Sequence, residues 1–363
     1  MLDNLDDILV AIRTPAQCRQ ACASVRDLSA TESVDERRRL SACIDPLIDV
    51  AIGAGDARRP AAQALVNLAQ NIPEHAEVVF RRLLDANVFT DDTAPSAVRA
   101  LLFSCIRCST SCIDLLLTAD AGRAAMNVVL TVDTDAELQW AMLSVQCITR
   151  AGHAGRLPPA RVAVEVIDQL IEDDASSLSR DAIRGISDFV VALLTDWHDA
   201  FGARLLGRTG DIDEDDLDRL YAGLDLANTF VICRTCLGII PGRNVADVAL
   251  SLLAACGNDD GPKPRRRPDD DEQRSPMSMK CTLVRLLANL CAVDGDARTR
   301  VGEDDALMLL LNQCKIDDEN PFMREWVVVA IRHLTDGNPD VQHRIAAIQP
   351  TSLNTFFESK MLP

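Results

Sequence analysis

The sequence predicts an all-α protein, an armadillo/HEAT-like helical-repeat solenoid. Three observations predict it. Apolar residues recur three and four apart in segments of three or so turns, each followed by a polar turn. The segments return after 36 residues (Leu65 to Leu101), 42 (Leu101 to Leu143) and 44 (Asn289 to His333), near the period of about 40–47 residues of armadillo and HEAT repeats. Apolar residues make up 48% of the 363, yet aromatics only 4%, with a single tyrosine. Small and branched aliphatics suit helix packing better than sheets.

In chain order, Leu2 to Ile12 reads as a short amphipathic helix, and Thr14-Pro15 as a cap with proline at the first helical position. Apolar spacing continues from Ala16 to Leu28, then from Val34 to Ala51, where Pro46 marks a break or kink. The repeating long helices are Ala61–Ile72, Ala97–Cys108, Leu138–Arg150, Arg180–Leu194, Leu224–Ile240, Met279–Cys291 and Glu325–Leu334. Shorter ones lie between them: Glu74–Leu84, Ser111–Leu117, Gly122–Leu130, Pro159–Ile171 and Val245–Ala255. Alternating long and short helices bury a shared core only when neighbours stack. Asp294-Gly295 and Asp336-Gly337 each follow a long helix, where glycine is expected to end it.

Gly257 to Met279 is dense in proline, glycine and charge and nearly free of apolar residues, so it reads as a disordered loop. The expected organisation is therefore irregular repeats over 1–256, a charged loop over 257–279 and a C-terminal helical module over 280–350 that stacks on the repeats. Gly207 to Asp218 reads as an acidic exposed loop, and Ser359 to Pro363 as a fraying end.

The formal charge is -18. A field of that sign repels phosphate backbones and anionic leaflets, so nucleic-acid binding is not expected and a basic protein segment is the favoured counterpart. The N-terminus lacks the basic region of a signal peptide, and no uninterrupted apolar run approaches membrane-spanning length. Membrane insertion is not expected. The 13 cysteines are expected as thiols in a reducing, cytoplasmic setting.

No motif points to catalysis or to a cofactor. Cys105-x2-Cys108 with Cys112, and Cys233-x2-Cys236, have zinc-like spacing. Both pairs read as interior positions of apolar helices, and core packing is the favoured account. Asp211, Asp213 and Asp215 begin like a calcium loop, but Asp216 stands where the loop needs glycine and Ala222 where it needs glutamate. The histidines, His75, His153, His198, His333 and His343, form no ligand pattern and read as surface or edge residues. No glycine-rich phosphate loop and no nucleophile elbow occurs. Lys263 to Arg267 is a short basic run offset by Asp269 to Glu272, and Ser275-Pro276 has the form of a proline-directed phosphorylation site.

Three asparagines recur on the long helices. Asn67 and Asn289 share a local frame, and Asn228 is a looser match. Two readings are open: the amides face a groove and bond the backbone of an extended peptide, or they bond a neighbouring repeat.

The C-terminal module carries a specific pattern. Cys281 to Cys291 reads CTLVRLLANLC, Leu311 to Leu334 reads LNQCKIDDENPFMREWVVVAIRHL, and Gly337, Asn338 and Gln342 follow. Over the 65 residues from Lys280 to Arg344 the sequence resembles the C-terminal domain of the ataxin-10 family. The resemblance implies a cytosolic, non-catalytic armadillo-like scaffold linked to cell division, cytokinesis or cell survival. Its expected partners are kinases or signalling proteins, with self-association as an alternative. Read as residues, Asn320 would cap a helix opening at Pro321, and Phe322 and Trp326 would share one face. Arg324 and Arg332 would brace Asp317 or Asp318, or present a docking surface together with Trp326.

Overall fold

The computed structural model describes residues 5–31, 33–53, 55–86, 96–132, 134–205, 214–233, 236–256, 278–314 and 322–348. Among them there are only helices, turns and loops, with no strand. The chain forms two compact units, Met1–Val166 and Ile167–Pro363.

The first unit holds α1 (Leu5–Arg13), α2 (Pro15–Thr31), α3 (Val34–Arg39), α4 (Ile44–Ile52), α5 (Arg58–Ala69), α6 (Pro73–Asp85), α7 (Ser96–Cys108), α8 (Thr110–Thr118), α9 (Asp120–Leu130) and α10 (Asp135–Arg150). α11 spans Arg161–Asp174. α2, α5, α7 and α10 pack side by side as a ladder, while α4, α6 and α9 back it. The apolar rows explain this. Leu65 and Leu68 of α5, Leu101 and Leu102 of α7 and Phe80 and Leu83 of α6 are fully enclosed. Each helix buries one stripe that it could not bury alone.

The second unit holds α12 (Arg180–Leu205), α13 (Glu214–Ile232), α14 (Gly242–Ala255), α15 (Met279–Val293), α16 (Gly295–Val301), α17 (Asp304–Leu311), α18 (Met323–Thr335) and α19 (Pro339–Ala347). Here the ladder is α13, α15 and α18, with α14 and α16 packed against α15. α15 is the most enclosed helix: every residue from Met279 to Val284 is buried, as are Leu286, Leu287, Leu290 and Cys291. Gly223 of α13 lets the backbone approach α12. A Cβ there would stand 2.0 Å from the Trp197 ring.

Arginines tie neighbouring helices together by donating to carbonyls left open at helix ends. Arg37 Nη1 donates to the carbonyls of Asn67 (3.2 Å) and Gln70 (3.1 Å) at the end of α5. Arg58 Nε donates to Ala51 at the end of α4 (2.9 Å). Arg99 Nη1 donates to Val129 and Thr131 at the end of α9 (3.2 Å each), and Arg344 to Gly302 after α16 (2.6 Å). A cation at these ends also meets the negative pole of the helix dipole.

Several elements differ from the sequence expectation. The helix expected over Val34–Ala51 is interrupted by a 3-10 turn at Leu40–Cys43, and Pro46 sits in the first turn of α4. A proline lacks the N–H that a continuous helix would need there, whereas the first turn has no use for it. The helix expected over Leu224–Ile240 instead runs from Glu214 to Ile232. Residues 214–218 are therefore helical rather than loop. Asp216 in the first turn pairs with Arg219 at 3.8 Å, where the dipole favours a carboxylate.

Gly295 opens α16 rather than ending α15. Asp294 caps α16 by accepting from the Ala297 N–H at 2.7 Å. Gly337, at φ 66°, does follow the end of α18. α18 begins at Met323, with Phe322 at the capping position. The expected start at Asn320 and Pro321 lies outside the described residues, as do Asp317, Asp318, Asp211, Asp213, the 257–277 segment with Lys263–Arg267 and Ser275, and Ser359–Pro363. His75 is buried rather than at the surface. Its Nδ1 lies 3.1 Å from the Leu68 carbonyl, because it faces α5 from the first turn of α6.

Candidate functional site

The three asparagines sit on the ladder helices of both units. Asn67 on α5 is half-buried, and its Nδ2 donates to the Arg26 carbonyl of α2 at 3.0 Å. Asn228 on α13 is buried, donates to Leu224 at 2.9 Å and accepts from Asn289 Nδ2 of α15, also at 2.9 Å. The structure thus brings Asn228 and Asn289 together. In both units the amide binds a neighbouring ladder helix, which fixes the step between repeats.

Around the second pair, Arg285 Nη2 meets Asp225 at 2.5 Å. Asp168 lies beside Thr229, Glu172 and Asp225, and its carboxyl is pushed above the ordinary range. Burial is the main cause. The hydrogen bond to Thr229 opposes the shift, and the two neighbouring carboxylates add to it.

On α18, Arg324 and Arg332 are exposed and Trp326 is half-exposed. Arg324 lies near Cys314, whose thiol is raised by burial and partly relieved by the guanidinium. Phe322 is 61% and Val328 56% exposed, so this helix presents apolar surface beside its arginines. Other signature residues serve the module's own closure. The Asn338 side chain caps α19 by accepting from the Val341 N–H at 3.2 Å, and Gln342 Nε2 donates to the Thr335 carbonyl at 2.7 Å.

The thiols are set up for packing. All 13 cysteines are free. Burial raises Cys43 and Cys256 to about 11 and Cys22, Cys112 and Cys291 to about 12. A thiol held protonated is a poor nucleophile and a poor metal ligand. Cys105 and Cys108 lie in α7 as expected, but Cys233 and Cys236 lie beyond the end of α13 rather than within it. Among the described residues, no group of three or more His, Cys, Asp or Glu side chains is placed to hold a metal ion.

Two features escape sequence reasoning. The rings of Phe103 (α7) and Trp140 (α10) meet across the ladder, centroids 5.9 Å apart and tilted by 43°, with the Arg107 guanidinium 5.8 Å from the Phe103 centroid. An open cavity of about 410 Å³ lies between α2 and α5, walled by Arg19, Arg26, Arg59, Asp56 and Gln63. The arginine spacing of α2 (19 and 26, one face of a helix) was the available signal. Which helix would pack opposite it was not readable.

Ladders of apolar helices with polar and aromatic outer rows define an armadillo/HEAT-like helical-repeat protein. Residues 279–362 match the family model described as the spinocerebellar ataxia type 10 protein domain. Ataxin-10 of Bos taurus is 36% identical over 123 residues, covering 32% of this chain and 26% of that protein. Human ataxin-10 is 38% identical over 87 residues, covering 24% and 18%. Residues 279–362 are thus similar to the C-terminal domain of ataxin-10 proteins. The matched stretch spans about a quarter of the bovine relative's length or less in the human one. Among solved structures, a designed armadillo repeat protein, YIII(Dq)4CqI, covers 92% of this chain and 100% of its own, at 13% identity and a TM-score of 0.25. No single described helix is long and apolar enough to cross a membrane. The pair Val98–Cys108 and Thr110–Thr118 passes only when taken together, bent by 119°.

Proposed function

We propose that the chain is a non-catalytic scaffold that binds segments of other proteins along its ladder helices. The observation that carries this reading is the division of labour on those helices. One stripe of each is fully enclosed, while the other side offers arginines and the half-buried Phe103–Trp140 pair. Tyrosine, tryptophan and arginine are the side chains that most often anchor protein interfaces. A cytoplasmic setting and a role in cell division or cell-survival signalling, with kinases or signalling proteins as partners, rest on the family resemblance.

Affinity capture with the full chain tests the scaffold. The wild type should retain a defined set of proteins. The Arg324→Glu/Arg332→Glu variant should lose those that dock on α18. Surface substitutions are preferable to deletion from Lys280 onward, because deleting the buried α15 would expose the core of its unit. A wild-type chain that retains nothing beyond the bead background would sink the reading. A second reading, self-association, is favoured by the exposed Phe322 and Val328. Light scattering should then report a mass above the monomer that Phe322→Ser returns to the monomer.

A further inference from the structure

The chain holds 55 acidic and 37 basic residues, yet three consecutive ladder helices reverse that balance. α2, α5 and α7 contain one carboxylate, Asp27, against six arginines. Two of the six serve the fold: Arg58 and Arg99 donate to helix-end carbonyls. Arg107 flanks the aromatic pair. Arg19, Arg26 and Arg59 converge on the open cavity between α2 and α5. Arg19 is held by Asp56 at 3.0 Å, both largely exposed, and half-buried Arg26 by exposed Asp27 at 2.6 Å. Arg59 is exposed and has no ion-pair partner among the described residues. Gln63 and Asn67 follow it at four-residue intervals on the same side of α5.

We propose that this face of the N-terminal unit docks an extended acidic segment of a partner protein. Its carboxylates would sit at Arg59, Arg19 and Arg26, and an apolar side chain would lie against Phe103 and Trp140. The proposal rests on the scaffold reading and names the partner's chemistry. Charge complementarity selects this occupant. A basic segment would meet three guanidinium groups at the cavity. A long nucleic acid would leave this face for surfaces carrying the chain's net charge of -18.

Reach agrees with the assignment. Packed helices stand about 9 Å apart, so crossing from α2 to α10 takes three steps of that size. About eight extended residues at about 3.3 Å each span that distance. A lone carboxylate would compete poorly with Asp27 and Asp56 for exposed arginines. A run of them on one chain raises the local concentration of each after the first.

Fluorescence anisotropy tests the proposal with a short fluorescein-labelled polyglutamate peptide ending in phenylalanine, and with its polyglutamine and polylysine counterparts. The polyglutamate peptide should bind the full chain, the other two should not, and binding should weaken as salt shortens the Debye length from about 10 Å at 0.1 M. Arg59→Glu should lower the affinity about tenfold or more with the helical circular dichroism unchanged. Phe103→Ala should lower it less, and by the same factor at high salt.

Equal binding of the glutamate and glutamine peptides, wild-type affinity in Arg59→Glu, or no binding at all overturns the proposal. So does inorganic phosphate that binds the site as tightly as the peptide, or a single-stranded oligonucleotide that binds more tightly. Protein capture separates this failure from failure of the scaffold reading. If wild type and Arg59→Glu retain the same partners, the scaffold stands and this face is not its site.

Discussion

Replacing Arg99 by alanine should be among the most damaging single changes in the N-terminal unit. The side chain is 2% exposed and unites three acceptors. Nη1 donates to the carbonyls of Val129 and Thr131, and Nη2 lies 3.3 Å from Glu137, which is 18% exposed. The guanidinium therefore holds the end of α9 and the start of α10 to α7. Removing one partner of a buried ion pair costs about 3–5 kcal/mol. The buried Val129 carbonyl and the part-buried Thr131 carbonyl also lose their donor, which places Arg99→Ala near the upper figure.

For a unit of this size each kcal/mol moves the melting temperature by about 2–4 °C, so a drop of about 10 °C or more is expected. Arg99→Lys keeps the charge but cannot fork to three acceptors, and should lose roughly half as much. Glu137→Gln keeps an acceptor at a partly solvated position and should lose about 1 kcal/mol. Urea unfolding followed by circular dichroism and tryptophan fluorescence measures the series. A loss below about 1 kcal/mol for Arg99→Ala would refute the assignment. A Glu137→Gln variant as unstable as Arg99→Ala would show that the carboxylate, and not the helix-end carbonyls, is the anchor.

Two further outcomes follow from the C-terminal unit. Asp168 has a raised carboxyl pKa and one oxygen without a hydrogen-bond partner among the described residues. The native state thus holds its proton to higher pH than the unfolded chain, and stability should fall as pH rises from the ordinary value of 3.8 through the raised one. Asp168→Asn should therefore raise the urea midpoint at pH 7 and flatten that fall. A lower midpoint would contradict the raised pKa. Gly223→Ala forces a methyl toward Trp197, which is 6% exposed, and should cost about 1–3 kcal/mol with a change in tryptophan emission. An unchanged midpoint would mean that α12 and α13 can separate freely.

The apolar rows made the fold class legible. Leu65, Leu101 and Leu102 were readable as core from spacing alone, and all are fully buried. The C-terminal resemblance is legible because its pattern returns in three stretches, Cys281–Cys291, Leu311–Leu334 and Gly337 to Gln342. What stayed hidden depends on contacts between helices far apart in sequence. Nothing local to Arg99 distinguishes it from Arg107, yet one is enclosed and the other is exposed. Asn228 and Asn289 were visible as a recurring residue, but their mutual bond needs the 61-residue step between α13 and α15 to be closed. The helix expected to start at Leu224 began ten residues earlier, at Glu214. The acidic stretch reads as loop by composition, although carboxylates belong naturally in a first turn. The cavity at Arg59 depends on α2 meeting α5, which neither helix announces.

The buried thiols give this protein a set of internal clocks. Cys22, Cys105, Cys112, Cys281 and Cys291 lie on four different helices, each at 1% exposure or less. A maleimide or an iodoacetamide can reach such a sulfur only when its own helix opens. Its rate of alkylation in native buffer therefore reports how often that part of the chain breathes. If neighbouring repeats open one at a time, the rates will differ from helix to helix. If a unit opens only as a whole, its thiols will react together. With no cysteine introduced by mutation, these native thiols can read out cooperativity repeat by repeat.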